Sequence, residues 1–250
     1  MVKTRTGIIA VAAIATLALG ACGGGSSAAT DPTTAATSAS SAAPEAGTAV
    51  SGTVEIADNN GIHTIAVPPQ SVVALDNRSF ETLYEWGIEL SAATRTLMPP
   101  TVGYVDDESI PDIGNHREPN LELIVAAGPD LVINGQRLLE MFDEIGALVP
   151  NATQILLDPR EGEPFDEELS RQVTVLGQVF GKESEAAEIV ADFDASIAAV
   201  KESYNPELTV MAVNVSGGEV GYLAPTVGRT LGPVFDIFGF TPALEIAGAT

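Results

Sequence analysis

The feature that most restricts how this chain can fold is a repeated switch, beginning after Pro68-Pro69, between short apolar runs and helical spacing. An apolar run of four or five residues bounded by turn formers reads as a fully buried strand, and apolar residues three and four apart read as one helix face. Val72-Val73-Ala74-Leu75 is such a strand, and Ser79 can cap a helix through Phe80, Leu83, Tyr84 and Trp86 that Gly87 ends. The spacing predicts a second strand over Ser91 to Thr96. Glu118-Pro119-Asn120 opens the next helix, with proline in its first turn, through Leu121, Leu123, Ile124, Val125 and Ala127. Gly128-Pro129-Asp130 stops it, and Leu131-Val132-Ile133-Asn134 is a strand. A helix from Leu138 to about Leu148 and a strand from Thr153 to Leu157 follow. Strand–helix alternation with short loops predicts an α/β lobe around a largely parallel sheet.

The flanks extend this plan. Thr53–Ala57 and Ile62–Ala66 alternate around Asp58-Asn59-Asn60-Gly61, a hairpin signal that places His63 on the polar, solvent-facing register. From about Pro164 to Tyr204 apolar residues recur at helical spacing, with Gly181 as a joint between two helices. Leu208–Val215 reads as a buried strand, Gly217-Gly218 turns into Glu219–Leu223, and a helix is expected from about Arg229 to Phe238. Trp86 falls on an apolar helix face and is expected in the core. The fold class is therefore α/β, with two Rossmann-like lobes joined by a long helix: 51–160, the linking region 161–205, and 206–250 as the start of a second lobe, incomplete in this chain.

Residues 1–21 have the pattern of a secretory leader: Lys3 and Arg5, an uncharged run from Gly7 to Leu19, then small residues. That run is shorter than the roughly 20 apolar residues a membrane-spanning helix needs. It closes on Leu19-Gly20-Ala21-Cys22, and Cys22 is the sole cysteine, so no intrachain disulfide is available in an oxidising compartment. Residues 22–50 are almost entirely Gly, Ser, Ala, Thr and Pro, a composition too poor in apolar bulk to offset its ordering entropy, and read as a disordered tether.

Charge removes one class of function. The chain has 11 Lys and Arg against 34 Asp and Glu, a net charge of −23. Without residues 1–21, which hold two cations and no acid, nine cations face 34 acids, a net charge of −25. Such a body repels nucleic acid. The cations that remain are seven arginines and two lysines, Lys182 and Lys201. Arg78, Arg95, Arg117, Arg137 and Arg229 fall in or beside expected loops. The guanidinium presents a planar fork of donors suited to carboxylates, catecholates and other oxyanions. An enzyme is not expected: no Gly-x-Ser-x-Gly, no His-Glu-x-x-His and no set of metal-ligating histidines is present.

Ile113-Gly114-Asn115-His116-Arg117-Glu118-Pro119-Asn120-Leu121-Glu122-Leu123-Ile124, followed by Gly128-Pro129-Asp130-Leu131-Val132-Ile133, resembles the signature of the substrate-binding lipoproteins of iron–siderophore ABC importers. The resemblance extends from about Thr53 to Ala243 and is nearest to members that bind ferric catecholates. Those carry a Gly-Arg-Gln-type turn where this chain has Gly135-Gln136-Arg137, and a small-residue–Arg turn matched by Gly228-Arg229-Thr230. Leu19-Gly20-Ala21-Cys22 likewise resembles a lipobox, which implies a lipid-anchored, exported protein acylated at Cys22 on the extracytoplasmic face of the cell membrane.

The resemblance implies a monomeric receptor that captures a ferric siderophore and delivers it to an ABC permease, with no cofactor and no metal held directly by the protein. It implies ligand contacts from Arg137 and Arg229, one from each lobe, with Gln136 in the place of the usual turn arginine, so that either Gln136 or Arg137 meets the ligand. Arg78 is a further candidate donor, and Tyr222 and Tyr104 are candidate aromatic walls. Members of the family continue well past the equivalent of Thr250, so the sequence is expected to be a fragment. A haem or cobalamin receptor of the same class is the alternative; His63 and His116, the only histidines, give a haem ligand little support. An exported enzyme or a structural lipoprotein stands behind both.

Overall fold

A computed structural model describes residues 52–228, 231–246 and 248, so the expected leader, Cys22, the expected tether, Arg229 and Thr230 lie outside the described residues. The described residues open with an antiparallel hairpin, β1 (Gly52–Asp58) and β2 (Gly61–Val67). Asp58 organises its turn. One carboxylate oxygen accepts from the Asn60 and Gly61 amides at 2.7 and 3.0 Å, and the other accepts from the Leu156 amide at 2.8 Å. Asp58→Ala strips all of these at once. It is expected to cost about 2 kcal/mol in urea unfolding, with far-UV dichroism retained.

The central sheet is parallel, in the order β4-β3-β5-β6, formed by β3 (Val72–Ala74), β4 (Ala92–Ala93), β5 (Leu131–Asn134) and β6 (Thr153–Leu156). Both faces are covered, which is why its strands read as continuous apolar runs. On one face Val72, Ala74, Leu131, Ile133 and Ile155 pack with Ile56 and Ile65 of the hairpin, Phe80 and Leu83 of α1 (Phe80–Glu85), and Leu176 and Val179 of α4 (Phe165–Phe180). On the other, Val73, Leu75 and Val132 pack with Ile124 of α2 (Leu121–Ala127) and Ile145 of α3 (Phe142–Leu148). Gly181, with φ at +64°, ends α4 in the left-handed conformation, and α5 (Glu183–Ser203) follows. The expected joint is therefore real. Beyond it come the antiparallel hairpin β7 (Ala212–Ser216) and β8 (Glu219–Leu223), and α6 (Pro233–Phe238).

Several expectations need correction. His63 is half-buried, not solvent-facing: it shares parity with Ile65, sits opposite Ile56, and places Nε2 3.0 Å from Asp58 Oδ1. Ile62 takes the outward position, 70 % exposed. The strand expected over Ser91 to Thr96 shrinks to Ala92–Ala93, because Arg95–Leu97 coil into a 3-10 turn held by Thr96 Oγ1 to Asp112 at 2.6 Å. The helix expected from Leu138 becomes a 3-10 segment, Gln136–Met141, running into α3, with Leu138 wholly buried against the sheet. Pro119 precedes α2 instead of entering its first turn, since Asn120 is the cap and accepts from the Glu122 amide at 3.2 Å. The strand expected to be buried over Leu208–Val215 is short and open: Val215 is 66 % exposed, because among the described residues β7 pairs only with β8. The last helix begins at Pro233, not Arg229. Trp86 is half-buried and packs against the core, as its helix face implied.

Candidate functional site

The connection from β3 to β4 runs through α1 on one face of the sheet, and the connections into β5 and β6 run through α2 and α3 on the other. The gap between the C-terminal ends of β3 and β5 is thus the topological switch point, where open α/β sheets bind their ligands. Three loops meet there. β3 leads through Leu75 into Asp76, Asn77 and Arg78; β5 leads into Gly135, Gln136 and Arg137; β6 leads through Leu157 into Asp158.

Arg78 is the hub. Its Nη1 lies 2.8 Å from Asp158 Oδ1 and 3.8 Å from Asp76 Oδ1. With its carboxamide oxygen turned toward Arg78, Gln136 accepts from Nη1 at 3.3 Å and from Nε at 3.1 Å. The Gln136 amide donates to both Asp158 oxygens at 3.0 and 3.1 Å, which holds this non-glycine residue at φ +47°. Gly135 is needed for space rather than for its dihedral, which is extended: a Cβ there would stand 2.9 Å from Asp158 Oδ1 and 3.0 Å from Asp76 Cγ.

The cluster is tied to the linking helices. Asp76 is wholly buried; desolvation pushes its carboxyl above the ordinary range, while the Arg78 amide and guanidinium oppose the shift. Gln172 of α4 donates to its second oxygen. One turn earlier on α4, buried Glu168 takes paired donors from Arg160 and Arg171, and their hydrogen bonds hold its carboxyl down at about 2. Arg171 also reaches Asn59 Oδ1 at 2.9 Å and the Asp158 carbonyl at 3.1 Å. One polar network therefore joins the first hairpin, the β6 loop and α4 behind the switch point.

The residues singled out from sequence divide accordingly. Gln136 and Arg78 are brought together, but Arg78 is paired with carboxylates rather than free. Arg137 is exposed and has no hydrogen-bonding partner among the described residues. Tyr222 lies on β8, half-buried, with its hydroxyl donating to the Leu244 carbonyl. Tyr104 is no wall: it is 6 % exposed, donates to the Ile88 carbonyl and meets Tyr84 edge-on at 5.2 Å. His116 is half-buried in the loop before α2. Arg229 and Cys22 fall outside the described residues. Sequence reasoning passed over Asp76 and Asp158, although each carboxylate stands directly after a buried apolar run, where a strand delivers it to the sheet edge. A cavity of about 750 Å³ lies between residues 161–167, which follow the β6 loop in the chain, and Thr226, Val227, Pro233 and Asp236, with Lys201 at its wall; Asp76, Arg78, Gln136, Arg137 and Asp158 do not line it.

A doubly wound parallel sheet with a polar cluster at its switch point is the architecture of α/β proteins that bind ligands outside their strand ends. The chain belongs to the periplasmic binding protein family, whose profile matches residues 72–248. It is similar to the petrobactin-binding protein YclQ of Bacillus subtilis, 26 % identical over 191 residues, covering 74 % of this chain and 57 % of that protein. It is also similar to the ferric-anguibactin-binding protein FatB of Vibrio anguillarum, 29 % identical over 203 residues, covering 78 % of this chain and 61 % of that protein. Among solved structures, the periplasmic catecholate-siderophore binding protein VctP of Vibrio cholerae superposes with a TM-score of 0.68 at 25 % identity, over 80 % of this chain and 70 % of that one. The chain thus spans less than two thirds of the length of the two sequence relatives.

Proposed function

We propose that this protein is the substrate-binding component of an ABC importer, and that it captures a ferric siderophore of catecholate type outside the cell. The observation that carries this reading is Arg137, an exposed guanidinium on the β5 loop with no acidic partner among the described residues, next in the chain to Gln136 at the switch point. Charge-assisted donors at a cleft edge suit an anionic oxygen-rich chelate. The activities of the two sequence relatives, petrobactin binding and ferric-anguibactin binding, support the same class. In this reading residues 1–21 are a leader removed in maturation, Cys22 carries the lipid anchor, 22–50 is the tether, 51–160 and 206–250 belong to the two lobes, and 161–205 links them. The iron is held by the siderophore, the protein works as a monomer without catalysis, and Arg229 closes on the ligand from the second lobe, with Tyr222 beside it.

Trp86 is the only tryptophan and offers an intrinsic probe. The mature protein is titrated with ferric catecholate, ferric hydroxamate, haem and cobalamin. Saturable submicromolar quenching by a ferric catecholate is the expected result; quenching by haem or cobalamin alone, or by none of the four, overturns the reading. Arg229→Ala is expected to weaken ferric-catecholate binding by about 2 kcal/mol, and an unchanged Kd removes that residue from the site.

A further inference from the structure

Asp158 has a feature that the capture of an anion does not require. Its carboxylate lies 2.8 Å from the Arg78 guanidinium and also accepts from the Gln136 amide, while Asp76 presents a second carboxylate to Arg78 at 3.8 Å. The guanidinium at the switch point is therefore already matched by two acidic groups, and of the arginines on the β3 and β5 loops only Arg137 is without one among the described residues. The acidity continues along the chain. Glu161, Glu163, Asp166 and Glu167, three to nine residues past Asp158, line the 750 Å³ cavity, Asp236 faces them, and Lys201 is the cation among the described lining residues. A chelate with about three negative charges at the switch point would meet the Asp158 carboxylate beside a guanidinium that is already matched, and like charges repel.

We propose that Asp158 is a specificity-determining residue. By matching the charge of Arg78 it selects, within the ferric-siderophore class, complexes that carry a protonated amine or a low net negative charge over fully trianionic ones. The inference rests on the ferric-siderophore reading above. Asp158 acts through Arg78 and through the field of its own carboxylate, while its hydrogen bond from the Gln136 amide holds the β5 turn.

The test uses two probes built on one ferric tris-catecholate scaffold, with and without a protonated side-chain amine, and the variant Asp158→Asn. Asparagine removes the charge and keeps one oxygen to accept from the Gln136 amide and Arg78, with an NH2 group in place of the other oxygen. Wild type is expected to prefer the amine-bearing complex by about tenfold, and the preference is expected to fall as salt rises from about 0.05 to about 0.5 M. Asp158→Asn is expected to shrink it to about threefold or less by tightening the trianionic complex. Equal wild-type affinity for both probes overturns the inference and leaves the siderophore reading standing. Parallel weakening of both probes in Asp158→Asn reduces Asp158 to a structural role. Failure of wild type to bind either probe overturns both. Asp158→Ser is a second neutral variant that can accept from the Gln136 amide, and the same loss of preference is expected of it should Asp158→Asn not fold.

Discussion

Glu168→Ala is expected to lower the unfolding free energy by about 3 kcal/mol at neutral pH, because it removes the one carboxylate that two arginines share. Glu168 is 2 % exposed and takes donors from Arg160 on its own loop and Arg171 one turn along α4, so its loss leaves two guanidinium groups facing each other. Both arginines reach solvent in part, which keeps the cost at the lower end of the range for broken buried pairs. The same residue gives a signature in pH. Its carboxyl is held down at about 2 from an ordinary 4.5, so the contribution is fully present above pH 4.5 and is lost as pH falls toward 2. Urea midpoints measured across this window should drop for wild type and stay flatter for the variant. Identical slopes would show that the network does not act as described.

Gly135→Val should be the most damaging single change at the site, costing roughly 3 kcal/mol and weakening ligand binding by more than tenfold. The backbone at Gly135 is extended, a conformation valine accepts, so the penalty comes from crowding alone. A Cβ at that position would lie 2.9 Å from Asp158 Oδ1 and 3.1 Å from Asp76 Cβ, and neither neighbour has room to withdraw: Asp76 is buried, and Asp158 is bonded to Arg78 and Gln136. The added methyls must push the β5 turn outward, separating Gln136 from Arg78. Gly87→Ala serves as a control: Gly87 has φ +68° but open space around it, so it should cost stability alone. Equal binding by Gly135→Val and wild type would mean that the β5 turn lies outside the ligand site.

The parallel sheet was legible because three of its strands contain unbroken apolar runs buried on both faces: Val72–Leu75, Leu131–Ile133 and Ile155–Leu157 need no partner to be recognised. The joint at Gly181 was equally plain, since a glycine between two amphipathic stretches has one common use. The site was legible only as a set of loops. Arg78, Gln136 and Arg137 could be placed at strand ends, but not Asp158, which lies 80 residues from Arg78 and 22 from Gln136 in the chain. The hairpin failed in the opposite way: the pairing was clear, but His63 was assigned to the wrong face, since only packing against Ile56 distinguishes inward from outward when both registers contain apolar residues.

By itself, the sequence determined the element order, the α/β class, the acidic balance and the leader pattern, all of which depend on neighbours within a few positions. Tertiary structure alone decided that Arg78 is matched by Asp158, that Gln136 is held at a positive φ, and that α4 is joined to the switch point through Gln172 and Arg171. Charge pairing and close approach depend on distances across the sheet edge, and the order of strands, not the order of residues, sets those distances.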